Sequence, residues 1–158
     1  MLTNTRTAST TKERNSINIS LKGLTSLEAF HKLIELINYA YSSTDNRLSE
    51  AEIGMLKYFM DLPTKFKYQR FGRLAKKKVT KRAQEEEGWT LTRVNINNKI
   101  YEMIRKGFLR RDEDMVVYLS PSLEKARSIV EEAYNSDKPV NINFSLEWQQ
   151  QEKKNNKS

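Results

Sequence analysis

Residues 95–109 read Asn95-Ile96-Asn97-Asn98-Lys99-Ile100-Tyr101-Glu102-Met103-Ile104-Arg105-Lys106-Gly107-Phe108-Leu109. Ile96, Ile100 and Met103, with Ile104 beside them, recur at the three- and four-residue spacing of one helix face, and the residues between are mostly polar. Thr90 or Thr92 can cap this helix, and Gly107 stops it. The chain then turns extended. Phe108–Arg111, the polar turn Asp112-Glu113-Asp114 and Met115–Leu119 predict a short hairpin, whose acidic tip reads as a solvated turn. With Ile96 and Ile100 inward at about 100° per residue, Val94, Asn98, Tyr101 and Arg105 point most directly outward, and Asn95 and Glu102 lie on one flank.

On the N-terminal side, Ser49 and Glu52 have capping-box spacing, and the helix they open carries Ile53, Leu56, Phe59 and Met60 before Pro63 ends it. A second helix is predicted over Arg73–Glu87, closed by Gly88 at the left-handed position. Its last turn, Glu85-Glu86-Glu87, opposes the helix dipole and predicts a weak end. On the C-terminal side, Ser120 and Pro121 start a helix with Leu123, Ala126, Ile129, Val130 and Ala133 apolar. Further out, Thr25 and Glu28 open a helix to about Tyr41, with Leu27, Phe30, Ile34, Ile37 and Tyr41 on one stripe. His31 lies beside that stripe as a surface or boundary residue.

Strand-like alternation marks both ends. Ile17, Ile19 and Leu21 alternate with polar residues, as do Val140, Ile142, Phe144, Leu146 and Trp148. The two strands, at 16–22 and 139–148, can pair with each other or add to the sheet edge of a neighbouring subunit. Residues 1–15 and 149–158 are polar tails expected to be disordered alone in water. The expectation is therefore an α+β, mainly helical chain. A single domain occupies 16–148, with a three-helix core and hairpin at 48–121, an extra strand and helix before it, and a helix and strand after it.

The 158 residues carry 28 Lys and Arg against 20 Asp and Glu, a net charge of +8. Nine of the basic residues, and no acid, lie in 65–82, KFKYQRFGRLAKKKVTKR, interleaved with Phe66, Tyr68 and Phe71. The other 19 basic residues are balanced by the 20 acids, so the excess belongs to this one segment. Concentrated positive charge attracts phosphate backbones by releasing condensed counterions, although an acidic protein partner would suit it too. The absence of Cys excludes disulfides, thiolate metal sites and cysteine nucleophiles, and a single His argues against a His-based metal site or relay. No Gly-rich phosphate loop, metal-spaced cluster or flanking carboxylate pair is visible, so neither an enzyme nor a cofactor is expected. No apolar run approaches the roughly 18 residues of a membrane span, and MLTNTRTAST lacks the apolar stretch of a signal peptide. The expectation is a non-membrane, cytoplasmic protein.

The stretch Asn95–Leu109 resembles the recognition helix and following strand of winged helix-turn-helix proteins, with Ile96, Ile100, Met103, Gly107 and Leu109 matching the family's apolar and glycine positions. The resemblance covers 48–121, about half the chain. It implies a hairpin wing with its tip at Asp112–Asp114, an exit strand into Tyr118-Leu119-Ser120-Pro121, and binding to double-stranded DNA. It also implies that helix 92–106 enters the major groove. Asn95, Asn98 and Arg105 are then the base-reading candidates, since Asn pairs bidentately with adenine and Arg with guanine. Lys65, Lys67, Arg70, Arg73, Lys76, Lys77, Lys78, Lys81 and Arg82 are candidates for backbone contact, and Thr92 and Arg93 for phosphate at the helix start. Two functions stay open: a transcription or replication accessory protein, or a structural ring or adaptor subunit of a phage-like particle. The second would place the protein in a virion, held to copies of itself or other subunits through its edge strands and tails.

Overall fold

The computed structural model describes residues 12–41, 43–136 and 141–149. In chain order these form strand β1 (Lys12–Ser20), helices α1 (Ser26–Tyr41), α2 (Glu50–Met60), α3 (Arg73–Glu87) and α4 (Arg93–Arg105), strands β2 (Leu109–Arg111) and β3 (Val117–Leu119), helix α5 (Pro121–Tyr134) and strand β4 (Asn141–Gln149). Single 3-10 turns lie at Thr44–Asn46 and Thr64–Phe66. The fold is α+β and mainly helical.

The described residues group into two compact units, whereas the sequence reading takes 16–148 as one. One unit is the antiparallel pair β1–β4, with Ile17 opposite Phe144 and Ile19 opposite Ile142. Of the two pairings left open, the strands pair within the chain, and among the described residues neither has a second neighbour. β1 begins at Lys12, so pairing extends into residues 12–15, which the sequence reading assigns to the N-terminal tail. Backbone ladder bonds need a partner strand, not apolar side chains, which is why hydropathy misses this extension. The remaining tail residues, 1–11 and 150–158, lie outside the described residues.

The other unit holds the five helices and the β2–β3 hairpin, and α2 organises it. Ser49 and Glu52 form the expected capping box: the Ser49 hydroxyl accepts from the Glu52 amide at 3.2 Å, and Glu52 Oε1 accepts from the Ser49 amide at 2.8 Å. The same Oε1 lies 2.7 Å from Lys106 Nζ, immediately beyond α4, and both side chains are nearly buried. At the other end of α2, the buried Arg70 donates from Nη1 to the carbonyls of Phe59 at 3.2 Å and Leu62 at 2.9 Å. The Phe59 carbonyl lies in the last turn of α2 and also accepts from the Leu62 amide, and the Leu62 carbonyl lies just beyond the helix. Ile53, Met55, Leu56, Tyr58, Phe59 and Met60 are all buried, so α2 is covered on more than one face, with α1 and α3 packed against it.

Close approach explains one α2 residue. A Cβ on Gly54 would stand 2.6 Å from the edge of the Trp89 indole, so the absence of a side chain lets the ring lie against the helix. Trp89 also meets Tyr58 edge-on, with centroids 6.3 Å apart. Asn38 of α1 fixes the approach to α2: its amide group bonds both the N–H and the carbonyl of Leu48, at 2.7 and 3.2 Å.

α3 spans the expected Arg73–Glu87, and Gly88 closes it at φ +71°. Its acidic end is compensated from α2 and from α3 itself. Glu87 accepts from the Tyr58 hydroxyl at 2.6 Å and lies 3.4 Å from Lys57, and Glu86 pairs with Arg82 at 2.7 Å. The weakness expected from the dipole is thereby offset. Gly107, at φ +89°, ends the α4 segment where the sequence places the stop, and Phe108 and Leu109 pass buried into β2. In the hairpin turn, Asp112 Oδ1 accepts from the amides of Asp114 and Val116, both at 2.9 Å, while Met115 adopts φ +68°. α5 starts at the Ser120 cap with Pro121 in its first turn, as read. Its buried Arg127 pairs with Glu124 at 2.9 Å and Glu131 at 3.1 Å, and the Thr64 hydroxyl donates to Glu131.

Replacing Glu52 separates its two tasks. Glu52→Gln keeps a capping acceptor but removes the charge opposite Lys106, and Glu52→Ala removes both. Breaking a buried pair typically costs about 3–5 kcal/mol, so both variants unfold at lower urea concentration, alanine furthest. The Thr64 hydrogen bond first, and then Arg127, hold the Glu131 carboxyl below its ordinary value of 4.5 against the opposing cost of burial. In the unfolded chain it titrates at the ordinary value, so its contribution is complete above that pH and is lost as pH falls through the depressed folded value. Glu131→Gln is therefore expected to lower stability at neutral pH and to flatten the acid limb of a stability–pH curve followed by circular dichroism.

Candidate nucleic-acid interface

The basic helix is sorted by its own periodicity. Ala75, Val79 and Ala83 are its buried positions. At about 100° per residue, Arg73, Lys76, Lys77, Thr80 and Lys81 then share one side, while Lys78 and Arg82 fall on the other. The first side, together with Leu91 and the first turn of α4, bounds a cleft of about 560 Å³. Arg73, Lys76, Lys77, Lys81 and Arg93 supply its charge, Thr80 and Asn97 its neutral polar groups, and Leu91 and Ile96 its apolar surface. No Asp or Glu lines it. Among the described residues, none of the five cations forms an ion pair.

Burial first, and then the neighbouring Arg93, push the Lys76 ammonium below its ordinary value. An anion entering the cleft would relieve that repulsion. The start of α4 adds to the field. Thr92 spends its hydroxyl on the Asn95 amide at 3.1 Å, and the amides of Arg93 and Val94 belong to the first turn, where a helix has no internal acceptor to offer. The arrangement is suited to holding phosphate groups by several cations at once.

The remaining expected contact residues go elsewhere. Arg70 is a correction: it is 2% exposed and serves as the carbonyl cap of α2, so it does not face a ligand. Burial pulls its guanidinium down to about 10, which leaves it charged at neutral pH. Arg82 is committed within the molecule, 2.6 Å from Asp61 and 2.7 Å from Glu86, with Tyr58 beneath it. Lys65 and Lys67 are exposed on the α2–α3 connection beside Phe66 and Tyr68, and Lys78 is exposed on the far side of α3. None of these three lines the cleft.

On α4, Asn95, Asn98 and Arg105 are exposed, as are Val94 and Tyr101. Arg105, however, is held by Glu102, with its Nη2 at 3.0 Å and its Nε at 3.2 Å from the same carboxylate oxygen. Sequence reasoning missed Thr80, Leu91 and Asn97 as cleft residues. Projecting α3 around its Ala75–Val79–Ala83 face would have found Thr80 and separated Arg82 and Lys78 from the rest. Among the described residues, no group of three or more His, Asp or Glu side chains is placed to hold a metal ion, and no helix is long and apolar enough to cross a membrane. Compared with known proteins, the chain matches no family model, no curated protein and no solved structure.

The two kinds of arginine and lysine separate in a stability measurement. Arg70→Ala strands buried carbonyls and is expected to cost about 2–4 kcal/mol in urea unfolding, whereas Lys77→Ala changes stability by less than about 0.5 kcal/mol.

Proposed function

We propose that this chain is a non-enzymatic, winged-helix-type protein that binds double-stranded DNA, with phosphates held at the α3–α4 cleft and the outer face of α4 turned toward the major groove. The observation that carries the reading is the cleft itself, in which five cations converge without a carboxylate beside the start of a helix. The order of three helices and a hairpin, α2–α3–α4–β2–β3, fits the same reading. The role is a transcription or replication accessory one in the cytoplasm. Neither step requires a cofactor or a metal.

A second reading is favoured by a different observation. β1 and β4 are paired only with each other among the described residues, which leaves each strand with an edge able to accept a neighbouring chain. This suits a ring or adaptor subunit of a phage-like particle, in which the cleft touches DNA without reading sequence. Self-association or contact with other subunits would then run through 16–22, 139–148 and the tails.

Fluorescence anisotropy of the full chain on labelled duplex DNA, across a salt series, tests the first reading. Affinity should fall steeply with salt, and Lys77→Ala and Lys81→Ala should each lower the log–log slope by about one. Arg82→Ala should leave the slope unchanged. Binding that ignores salt, or cleft variants indistinguishable from the parent, would overturn the assignment. Light scattering on the same samples separates the readings: a monomer or twofold dimer fits an accessory factor, and a larger cyclic mass fits the assembly subunit.

A further inference from the structure

We infer that α4 recognises A·T base pairs in the major groove, with Asn98 against adenine and Val94 and Tyr101 against the methyl group of thymine. This rests on the DNA-binding reading and adds the base preference that the reading leaves open.

Three features of the helix carry it. The first is direction. Arg93 and Asn97 form the flank of α4 that lines the cationic cleft. Around the helix from that flank, at about 100° per residue, come Tyr101 and Val94, then Arg105 and Asn98; Asn95 and Glu102 lie furthest away. A duplex whose phosphates occupy the cleft therefore meets Val94 and Tyr101 next. The second is chemistry. Val94 is 66% exposed and Tyr101 61%, two apolar side chains left in water on the outward face of an otherwise polar surface. Arg111 from β2 lies over the Tyr101 ring, 5.8 Å from its centre, and restrains it without covering it.

The third is the arginine. A guanine edge offers two acceptors and is read by a free guanidinium fork. Here Arg105 shares its Nε and Nη2 with one oxygen of Glu102, and the carboxylate beside it would repel both those acceptors and a nearby phosphate. Between the cleft flank and Glu102, the outward groups other than Arg105 are the Asn98 carboxamide and an apolar pair. In the major groove, adenine presents the donor–acceptor edge that a carboxamide matches, and thymine presents the methyl group. Both belong to one base pair only, A·T.

The test uses duplexes enriched by the full-length chain from a random pool, remade with deoxyuridine in place of thymidine. This swap deletes the methyl groups and leaves Watson–Crick pairing intact. The enriched pool should be rich in A·T steps. Its uracil form should bind more weakly by about fourfold for each contacted methyl; Val94→Ser and Tyr101→Ser should each lose part of that difference, and the double variant should bind the two forms alike. Equal affinity of the parent for both forms, or enrichment of G·C-rich sites, or no enrichment, would overturn the inference. The cleft reading would stand in those cases if Lys77→Ala still weakened binding. A chain that binds no duplex would overturn both. A change in mass on Val94→Ala, with DNA affinity unchanged, would assign the apolar pair to a protein contact and overturn the base preference.

Discussion

The contact between Glu52 and Lys106 is the constraint on which the helical unit depends. One carboxylate closes the capping box of α2 and neutralises a lysine just beyond α4. Because both groups are nearly out of water, neither can lose the other without leaving an unpaired charge inside. The C-terminal end of α4 is thereby tied to the N-terminal end of α2. α3 is tied to α2 independently, through Arg82 on Asp61 and through Tyr58 and Lys57 on Glu87. With both partners pinned to α2, the space between α3 and the first turn of α4 is set by the scaffold. Its cations are held near one another despite their repulsion.

A basic segment of sequence has thus been divided among three uses. Arg73, Lys76, Lys77 and Lys81 remain available on the cleft wall. Arg70 and Arg82 have become structural, one closing the end of a helix and the other bridging two carboxylates. Lys65, Lys67 and Lys78 stay in solvent outside the cleft. Net charge alone treats all nine as equivalent. What distinguishes them is whether an acceptor within the fold has already claimed the charge, and only an unclaimed cation has its full attraction left for a ligand.

Features governed by short spacing were legible before any coordinates. Ser49 with Glu52, Thr25 with Glu28, Gly88 after Arg73–Glu87, and Ser120 with Pro121 are all decided within a few residues, and each appears where it was read. The outward face of α4 followed equally from its period: Val94, Asn98, Tyr101 and Arg105 are exposed. Long-range choices were not legible. Nothing local says that Lys106 meets a residue 54 positions away, that Glu87 answers Tyr58 at a distance of 29, or that Arg70 turns inward. For Arg70 the deciding factor is the group of carbonyls at and just beyond the end of α2, which come together only once the helix has ended nearby. Arg105 is an intermediate case. Glu102 is only three residues away and on an adjacent part of the helix surface, so their pairing was available to helical spacing.

The paired ends carry a kinetic consequence. Every bond of the β1–β4 ribbon joins residues more than a hundred positions apart, whereas each helix and the β2–β3 hairpin close over a few. The entropy of closing so long a loop makes the ribbon a late event in folding, assembled after the local elements exist. Until it forms, the chain carries two open strand templates at its extremities. Pairing within one molecule does not depend on concentration, whereas exchange of an identical strand with a second copy would rise with it.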